Sequence, residues 1–536
     1  MKTAGRDINA LEVRYLIQKH RGQLGEAART LDAVIGINSR ADWAYNELLQ
    51  LLMTHGKVAD AEQVARAALR ANPANPQAHN VFGLIVSDMH DLPAGEWHFR
   101  RALELTPEPQ APLLTNLANN LLKQGRTEEA ERYFSRALEL VPGDLKTLTS
   151  GSELYAARGD LLRAAELLDR AEAASSAPEV ALPRSNLLAR SGRHEEALAL
   201  INATKTLTGE GQLARGRLHE SLGRYDEAWQ DFLAGKRKLA AEGGGLQYKA
   251  DAVEALFGRF KEFFSRANFG RLPQAKLRPD VPQPIFIMGL PRSGSTLVEQ
   301  IICSHSAVVA GGELAFLSEL RKVASDLLPA PQPFPENLAQ SWTADRHYAA
   351  TLFRDYYLAR AERHGLLGTG NAFFTDKMPF NVVYLPLLKM AFPKAKIVQV
   401  MRHPLDVCVS VMSSNVTQGF NCGYRIEDTA HQLAAAFDLF EHYRRELDLG
   451  DYVLQYEEVV ADQGGQTRKL LDYLGLPVEK ACLHLHEQQR RAPMPAEARI
   501  CERLDDRSIN RHRHYAQHLR PYGARLKPMI CAYGYE

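Results

Sequence analysis

A pattern of small residues that returns about every 34 positions through the first 240 residues limits this chain more than any other feature. Glycine followed five residues later by alanine occurs at Gly22/Ala27, Gly56/Ala61, Gly125/Ala130, Gly159/Ala164, Gly192/Ala197 and Gly223/Ala228. One further unit fits between Gly56 and Gly125, where His90 stands at the glycine place while Gly83, Phe99, Ala102 and Pro107 keep other places of the pattern. Residues 111–144 carry it most fully, with Gly125, Ala130, Phe134, Ala137 and Pro142 at the expected offsets. A unit of this length cannot bury its apolar face alone, so successive units must stack on one another. The spacing predicts about seven antiparallel helix pairs. In this reading small residues at the glycine and alanine places let the helices approach closely, and the proline stops the second helix.

With those residues in view, the first half resembles a tetratricopeptide repeat array. The resemblance implies an all-α solenoid whose groove holds a protein or peptide; a structural spacer and a homodimer surface are the other uses of such an array. Nothing in this half forms a catalytic constellation. Lys236-Arg-Lys238 and then Gly243-Gly-Gly245 break the pattern, so the array is expected to span residues 1–245. Val253, Leu256, Phe257, Phe260 and Phe264 then recur at helical spacing and predict a connector over 246–280, with Pro273, Pro279, Pro282 and Pro284 forming an extended lead-in.

The remaining domain, 281–536, is organised around Pro284-Ile-Phe-Ile-Met-Gly-Leu-Pro-Arg-Ser-Gly-Ser-Thr-Leu-Val-Glu-Gln-Ile-Ile302. The uninterrupted apolar run Ile285 to Met288 suits a parallel strand covered on both faces. A Gly, Pro and Ser-rich turn follows, and Leu297, Ile301 and Ile302 return at helical spacing. Strand, tight loop and helix N-terminus make an anion site, because the first helical N–H groups lack partners and lie at the positive end of the dipole. Gly289, Gly294, Ser295 and Thr296 fit Gly-x-x-x-x-Gly-Lys-Ser/Thr except that Ser295 replaces the lysine. That lysine serves the β and γ phosphates of a nucleotide, so its loss argues against triphosphate chemistry but keeps the backbone cradle. Arg292 lies inside the loop as a replacement cation.

Further strands are expected at Val308-Val309, Phe373-Phe-Thr375, Lys396-Ile-Val-Gln-Val-Met401 and Tyr452-Val-Leu-Gln-Tyr456. Glu313, after Gly311-Gly312, is placed either to accept a proton near the loop or to complement the dipole of a helix it begins. Lys377 follows the strand at 373–375, at the edge where open α/β sheets bind ligands, which favours a functional over a solvated lysine. Arg402 stands where strand meets helix, and Ser410 lies eight residues on, so both can meet one phosphate. Residues 329–342 read as a proline-bearing loop or lid. The tail Arg511-His-Arg-His-Tyr515 suits a phosphate, a stacked base or solvent.

With a net charge of +1 in 536 residues, there is no bulk electrostatic case for nucleic acid or membrane surfaces. No run approaches the roughly 18 apolar residues of a spanning helix, so a cytoplasmic protein is expected. The six cysteines, 303, 408, 422, 482, 501 and 531, lack metal or disulfide spacing, and no carboxylate or histidine set suggests a metal.

Together, Pro291-Arg-Ser-Gly-Ser-Thr-Leu297, Gly312-Glu313, Asp376-Lys377-Met-Pro-Phe380, Arg402-His-Pro-Leu-Asp406 with Ser410, and Tyr456-Glu457 resemble the sulfotransferases that use 3′-phosphoadenosine 5′-phosphosulfate (PAPS), with a pattern similar to tyrosylprotein sulfotransferases. The resemblance implies a P-loop-like α/β domain with a mainly parallel sheet behind the α solenoid. It makes Arg292, Ser293, Gly294, Ser295 and Thr296 the 5′-phosphosulfate cradle and gives the 3′-phosphate to Arg402 and Ser410. It also implies Glu313 as general base, Lys377 and Arg292 as cations facing the sulfuryl group, Tyr456 and Arg511 beside the cofactor, and no metal. Two positions depart from it. No serine occurs between Ser414 and Ser508, so the hydroxyl expected around Ala496 is absent, and Ser414 stands where the tyrosylprotein enzymes have arginine. The competing readings are a nucleotide-dependent kinase and a repeat scaffold with an inactive transferase domain. A repeat groove suggests a protein or peptide acceptor, with tyrosine as one acceptor residue.

Overall fold

The computed structural model describes residues 7–89, 91–174, 178–243, 245, 247–343, 347–368, 370–416, 420–484 and 507–535. His90, Gly244, Ala496 and Cys501 lie outside them. Contacts divide the chain into two compact units, Met1–Leu187 with Glu242–Gly245, and Leu188–Ala241 with Leu246–Glu536. The division falls inside the repeat array, so its last helices belong to the unit that holds the sheet described below.

Fourteen α-helices run from Ile8 to Glu242 among the described residues, in the pairs the recurrence predicts. The recurring alanines, Ala27, Ala61, Ala130, Ala164, Ala197 and Ala228, are fully buried, as close helix packing demands. The glycines correct the expectation. Gly22, Gly56, Gly125, Gly159, Gly192 and Gly223 all sit between the helices of a pair with φ of +68° to +83°. A Cβ at Gly22, Gly159, Gly192 or Gly223 would meet nothing within 4 Å. Their role is to supply the left-handed turn that side chains disfavour, not to admit a neighbour. Close approach is the task of other glycines: a Cβ on Gly83 would lie 2.9 Å from the Phe99 ring, and one on Gly216 2.6 Å from Phe232.

Among the described residues of the second unit, five parallel strands form one sheet in the order β2-β3-β1-β4-β5. They are β1 (Gln283–Gly289), β2 (Val308–Val309), β3 (Phe373–Lys377), β4 (Lys396–Met401) and β5 (Tyr452–Gln455). Alternation divides β1 between two cores. Ile285 and Ile287 pack with Leu297, Val298, Val398, Val400 and Leu454 on one face. Phe286 and Met288 pack with Tyr357, Leu388 and Phe440 on the other. Both faces are covered, which explains why β1 reads as an unbroken apolar run.

The second core reaches past Gly245 toward the N-terminus. Leu213, Ala228, Trp229 and Phe232, from the helices Gly209–Ser221 and Tyr225–Glu242, share it with Phe257, Phe260 and Phe264 of the connector helix Ala250–Phe263. The segment read as a lid is built into the same core: Phe334 and Leu338 are buried, and Glu336 forms an ion pair with Arg259. Tethered by buried apolar side chains, this segment does not serve as a mobile cover.

Candidate active site

Because the sheet is parallel and the strand order reverses around β1, the turns leaving β1, β3, β4 and β5 open on one edge, where such sheets form a ligand crevice. The first is the loop Leu290–Gly294, which feeds the helix Ser295–Cys303. Gly294 caps that helix at φ +97°, and a Cβ there would lie 2.4 Å from the Tyr456 ring. A Cβ at Gly289 would meet the Val400 carbonyl oxygen at 2.3 Å. Glycine at these two places therefore shapes a cradle whose wall is Tyr456, at the end of β5. Ser295 and Thr296 form the first turn of the helix, where backbone N–H groups lack intrahelical partners.

Arg292 sits in the loop with φ +67°, and its Nε donates to Ser410 Oγ at 3.1 Å. Arg402 leaves β4 nearly buried, donates from Nη1 to the Arg292 carbonyl at 3.0 Å, donates from Nη2 to the Ser508 carbonyl, and lies 5.0 Å from the Tyr456 ring centre. Four expected residues, Arg292, Arg402, Ser410 and Tyr456, are thus brought together from three strand ends and one helix. Burial pulls the Arg402 guanidinium below its ordinary value. An anion beside it would relieve that penalty.

Among the described residues, two buried polar atoms in this crevice, Ser293 Oγ and Arg402 Nε, have no hydrogen-bond partner. Buried polar groups are rarely left so, and leaving one costs about 1–3 kcal/mol. Orphaned donors, helix N–H groups and a glycine-shaped cradle fit a phosphate-bearing ligand such as PAPS.

The C-terminal segment closes behind Arg402. Asp406 accepts from the Asn510 and His512 N–H groups at 2.9 and 2.7 Å and from His512 Nδ1 at 2.8 Å. Burial alone would raise the Asp406 carboxyl, but the His512 contacts hold it below its ordinary value. His403 stacks on His512 at 4.0 Å between ring centres, and burial beside that ring lowers it to about 4. Arg511 is engaged by both carboxylate oxygens of Glu220, at 2.5 and 2.6 Å, on the helix Gly209–Ser221. The basic tail is therefore mixed: His514 stacks on Tyr225 at 4.2 Å and Tyr515 is fully buried, while Arg513 and the rest of His514 stay exposed.

Glu313 and Lys377 meet. Lys377 Nζ donates to Glu313 Oε1 at 2.5 Å, with the lysine nearly buried and the glutamate about one-third exposed. Glu313 precedes the helix Phe316–Leu327, which it was expected to begin, so it lies in a turn at the crevice edge and outside that helix's first turn.

Sequence reasoning missed two buried carboxyls beneath this pair. Glu299 lies on the loop helix, fully buried, and burial raises its carboxyl above the ordinary range. Asp376 precedes Lys377, accepts from Tyr357 Oη at 2.6 Å and Asn381 Nδ2 at 3.1 Å, and is pushed up to about 7 by burial against the pull of those bonds. The folded protein then keeps a proton on Asp376 that the unfolded chain gives up above about pH 4. The stabilisation from this group is complete below that pH and is lost as pH rises through about 7. Asp376→Asn is expected to remove this slope, so the wild-type Tm should fall by several degrees more than the variant's between about pH 5 and 8. Parallel calorimetric curves for the two would exclude a protonated Asp376.

Residues 284–480 match the sulfotransferase family, and residues 20–85 and 111–144 match tetratricopeptide repeats. An uncharacterized protein of Aquifex aeolicus is 25% identical over 414 residues, 75% of this chain and 53% of its own length. This chain therefore spans about half the length of that relative. A putative protein-tyrosine sulfotransferase of Caenorhabditis briggsae is 22% identical over 219 residues, 38% of this chain and 70% of its own. Protein-tyrosine sulfotransferase A of Caenorhabditis elegans is 23% identical over 207 residues, 38% of this chain and 52% of its own. Among solved structures, the sulfotransferase domain from the curacin biosynthetic pathway aligns with TM-score 0.32 and 19% identity, covering 44% of this chain and 91% of that domain.

Proposed function

From a chain that joins tetratricopeptide repeats to a sulfotransferase-family domain, we propose an enzyme that moves a sulfuryl group from PAPS to a hydroxyl acceptor. The observation that carries this reading is the crevice at Gly289: a phosphate-loop backbone without the lysine that a triphosphate needs, lined by Arg292, Arg402 and Ser410, with Ser293 Oγ and Arg402 Nε unpartnered. In this reading Ser293 to Thr296 hold the 5′-phosphosulfate, and Arg402 with Ser410 holds the 3′-phosphate. Tyr456 walls the cradle, and Arg511 reaches the same phosphate only on leaving Glu220.

When bound, PAPS supplies the sulfuryl group and a bisphosphate leaving group. Transfer of such a loosely held group depends on alignment and charge stabilisation more than on covalent help. Glu313 takes the proton of the acceptor hydroxyl as the new O–S bond forms and the phosphate S–O bond breaks. The Lys377 ammonium, held at Glu313 in the resting protein, turns toward the sulfuryl oxygens. Once that ion pair opens the carboxylate acts as base, while Arg292 and the loop N–H groups take up charge on the departing phosphate. A protein or peptide hydroxyl, tyrosine included, is the acceptor class that agrees with a repeat array on the same chain.

Calorimetry with adenosine 3′,5′-bisphosphate and with ATP, alongside transfer from labelled PAPS into a mixture of tyrosine peptides, tests the proposal. Tight bisphosphate binding and weak ATP binding are expected. Arg402→Ala should weaken bisphosphate binding by about 10- to 100-fold, the worth of one charge-assisted contact of 1.5–3 kcal/mol. Equal affinity for ATP, or an unchanged affinity in the Arg402 variant, would overturn the assignment.

A further inference from the structure

Beneath Glu313 a short hydrogen-bond chain joins three elements that the crevice must keep in register. The Gly311 N–H donates to Thr375 Oγ1 at 3.0 Å, and Thr375 Oγ1 donates to Glu299 Oε1 at 2.7 Å. The Gly312 N–H donates to the same Glu299 oxygen at 3.0 Å. The chain begins in the turn whose next residue is Glu313, passes through β3 two residues before Lys377, and ends on the helix that follows the phosphate loop. A Cβ on Gly311 would stand 2.1 Å from the Thr375 carbonyl oxygen, so the turn is pressed against β3 as well as bonded to it. The Lys377 N–H closes the arrangement by donating to the Gly312 carbonyl at 2.8 Å.

We propose that Glu299 and Thr375 are positioning residues for sulfuryl transfer: their buried linkage fixes the Gly311-Gly312 turn so that Glu313 stands against Lys377, beside the loop that holds the donor. The inference rests on the functional reading of that pair. Glu299 and Thr375 are buried, 1% and 0% exposed, so neither can touch an acceptor. A carboxyl in an apolar interior is costly unless it is used. Here it sits between Val298 and the Ile301-Ile302 pair, in a helix that packing alone would fill with a hydrophobe. The geometry supplies the use: one oxygen accepts both the turn amide and the strand hydroxyl, and a base misplaced by about 1 Å can cost on the order of 100-fold in rate.

The test compares Thr375→Val, nearly isosteric and without the hydroxyl, with Thr375→Ser, Glu299→Gln and Glu299→Ala. Thr375→Val and Glu299→Ala should lower kcat by about 10- to 100-fold while the KM for PAPS and the bisphosphate Kd stay within about threefold. Thr375→Ser and Glu299→Gln, which keep a hydroxyl and an acceptor oxygen, should restore turnover. Unchanged kcat in Thr375→Val overturns the proposal. So does a loss of kcat matched by equal losses of bisphosphate affinity and Tm, since a merely structural contact behaves that way. Amide hydrogen exchange at Gly311 and Gly312, measured without donor or acceptor, separates this inference from the reading beneath it. Faster exchange in Thr375→Val supports the linkage even if the wild type transfers nothing, in which case the functional assignment is what fails; unchanged exchange removes the linkage whatever the activity.

Discussion

Replacing Glu313 with Gln is expected to lower turnover by about 100- to 10,000-fold, the usual worth of a positioned general base, with bisphosphate affinity unchanged within about threefold. The amide oxygen can still accept from Lys377 Nζ, which now donates to the carboxylate at 2.5 Å, so the variant loses basicity before it loses architecture. Glu313→Ala should lose as much turnover and more stability, because a nearly buried ammonium is left without its partner. Steady-state rates and calorimetric titration of both variants decide the matter. A Gln variant with wild-type kcat would remove Glu313 as the base.

A chain begun at residue 246 is expected to lose cooperative folding, whereas one begun at residue 188 keeps it. Leu213, Ala228, Trp229 and Phe232 are buried in the same core as Phe260, Phe286 and Met288, and a start at 246 removes all four. Losing one large buried aromatic costs about 3–5 kcal/mol against a total stability of about 5–15 kcal/mol. The shorter chain also strips Arg511 of Glu220 and exposes the ring faces that Tyr225 and Trp229 cover on His514 and His518. Thermal melts of both truncated chains check this, and a cooperative transition near the wild-type Tm in the shorter one would refute it.

The turn composition at 243–245 reads as a boundary, yet the last helix pair follows the same spacing as its predecessors and nothing in its pattern says what it will pack against. Spacing reports which face of a helix is apolar and is silent about the partner. The strands were legible because a parallel sheet covered on both faces leaves continuous apolar runs, and Lys377 and Arg402 because they follow those runs. The array glycines were placed correctly and explained wrongly: recurrence cannot distinguish a residue needed for its backbone from one needed for its size. Glu299 did leave a signal, a single carboxylate within an otherwise apolar helix stripe, as did Asp376 between a buried threonine and a lysine. What each bonds to depends on pairings across the sheet that sequence distance hides.

No short stretch of this polypeptide contains the crevice. Its contributors arrive from the exits of four strands, separated in sequence by everything that wraps the two faces, so they coexist only in molecules whose sheet is fully in register. A donor gripped there is consequently a ligand of the assembled state alone. Its concentration sets how rarely the sheet opens, with each tenfold excess over the dissociation constant adding about 1.4 kcal/mol against global unfolding.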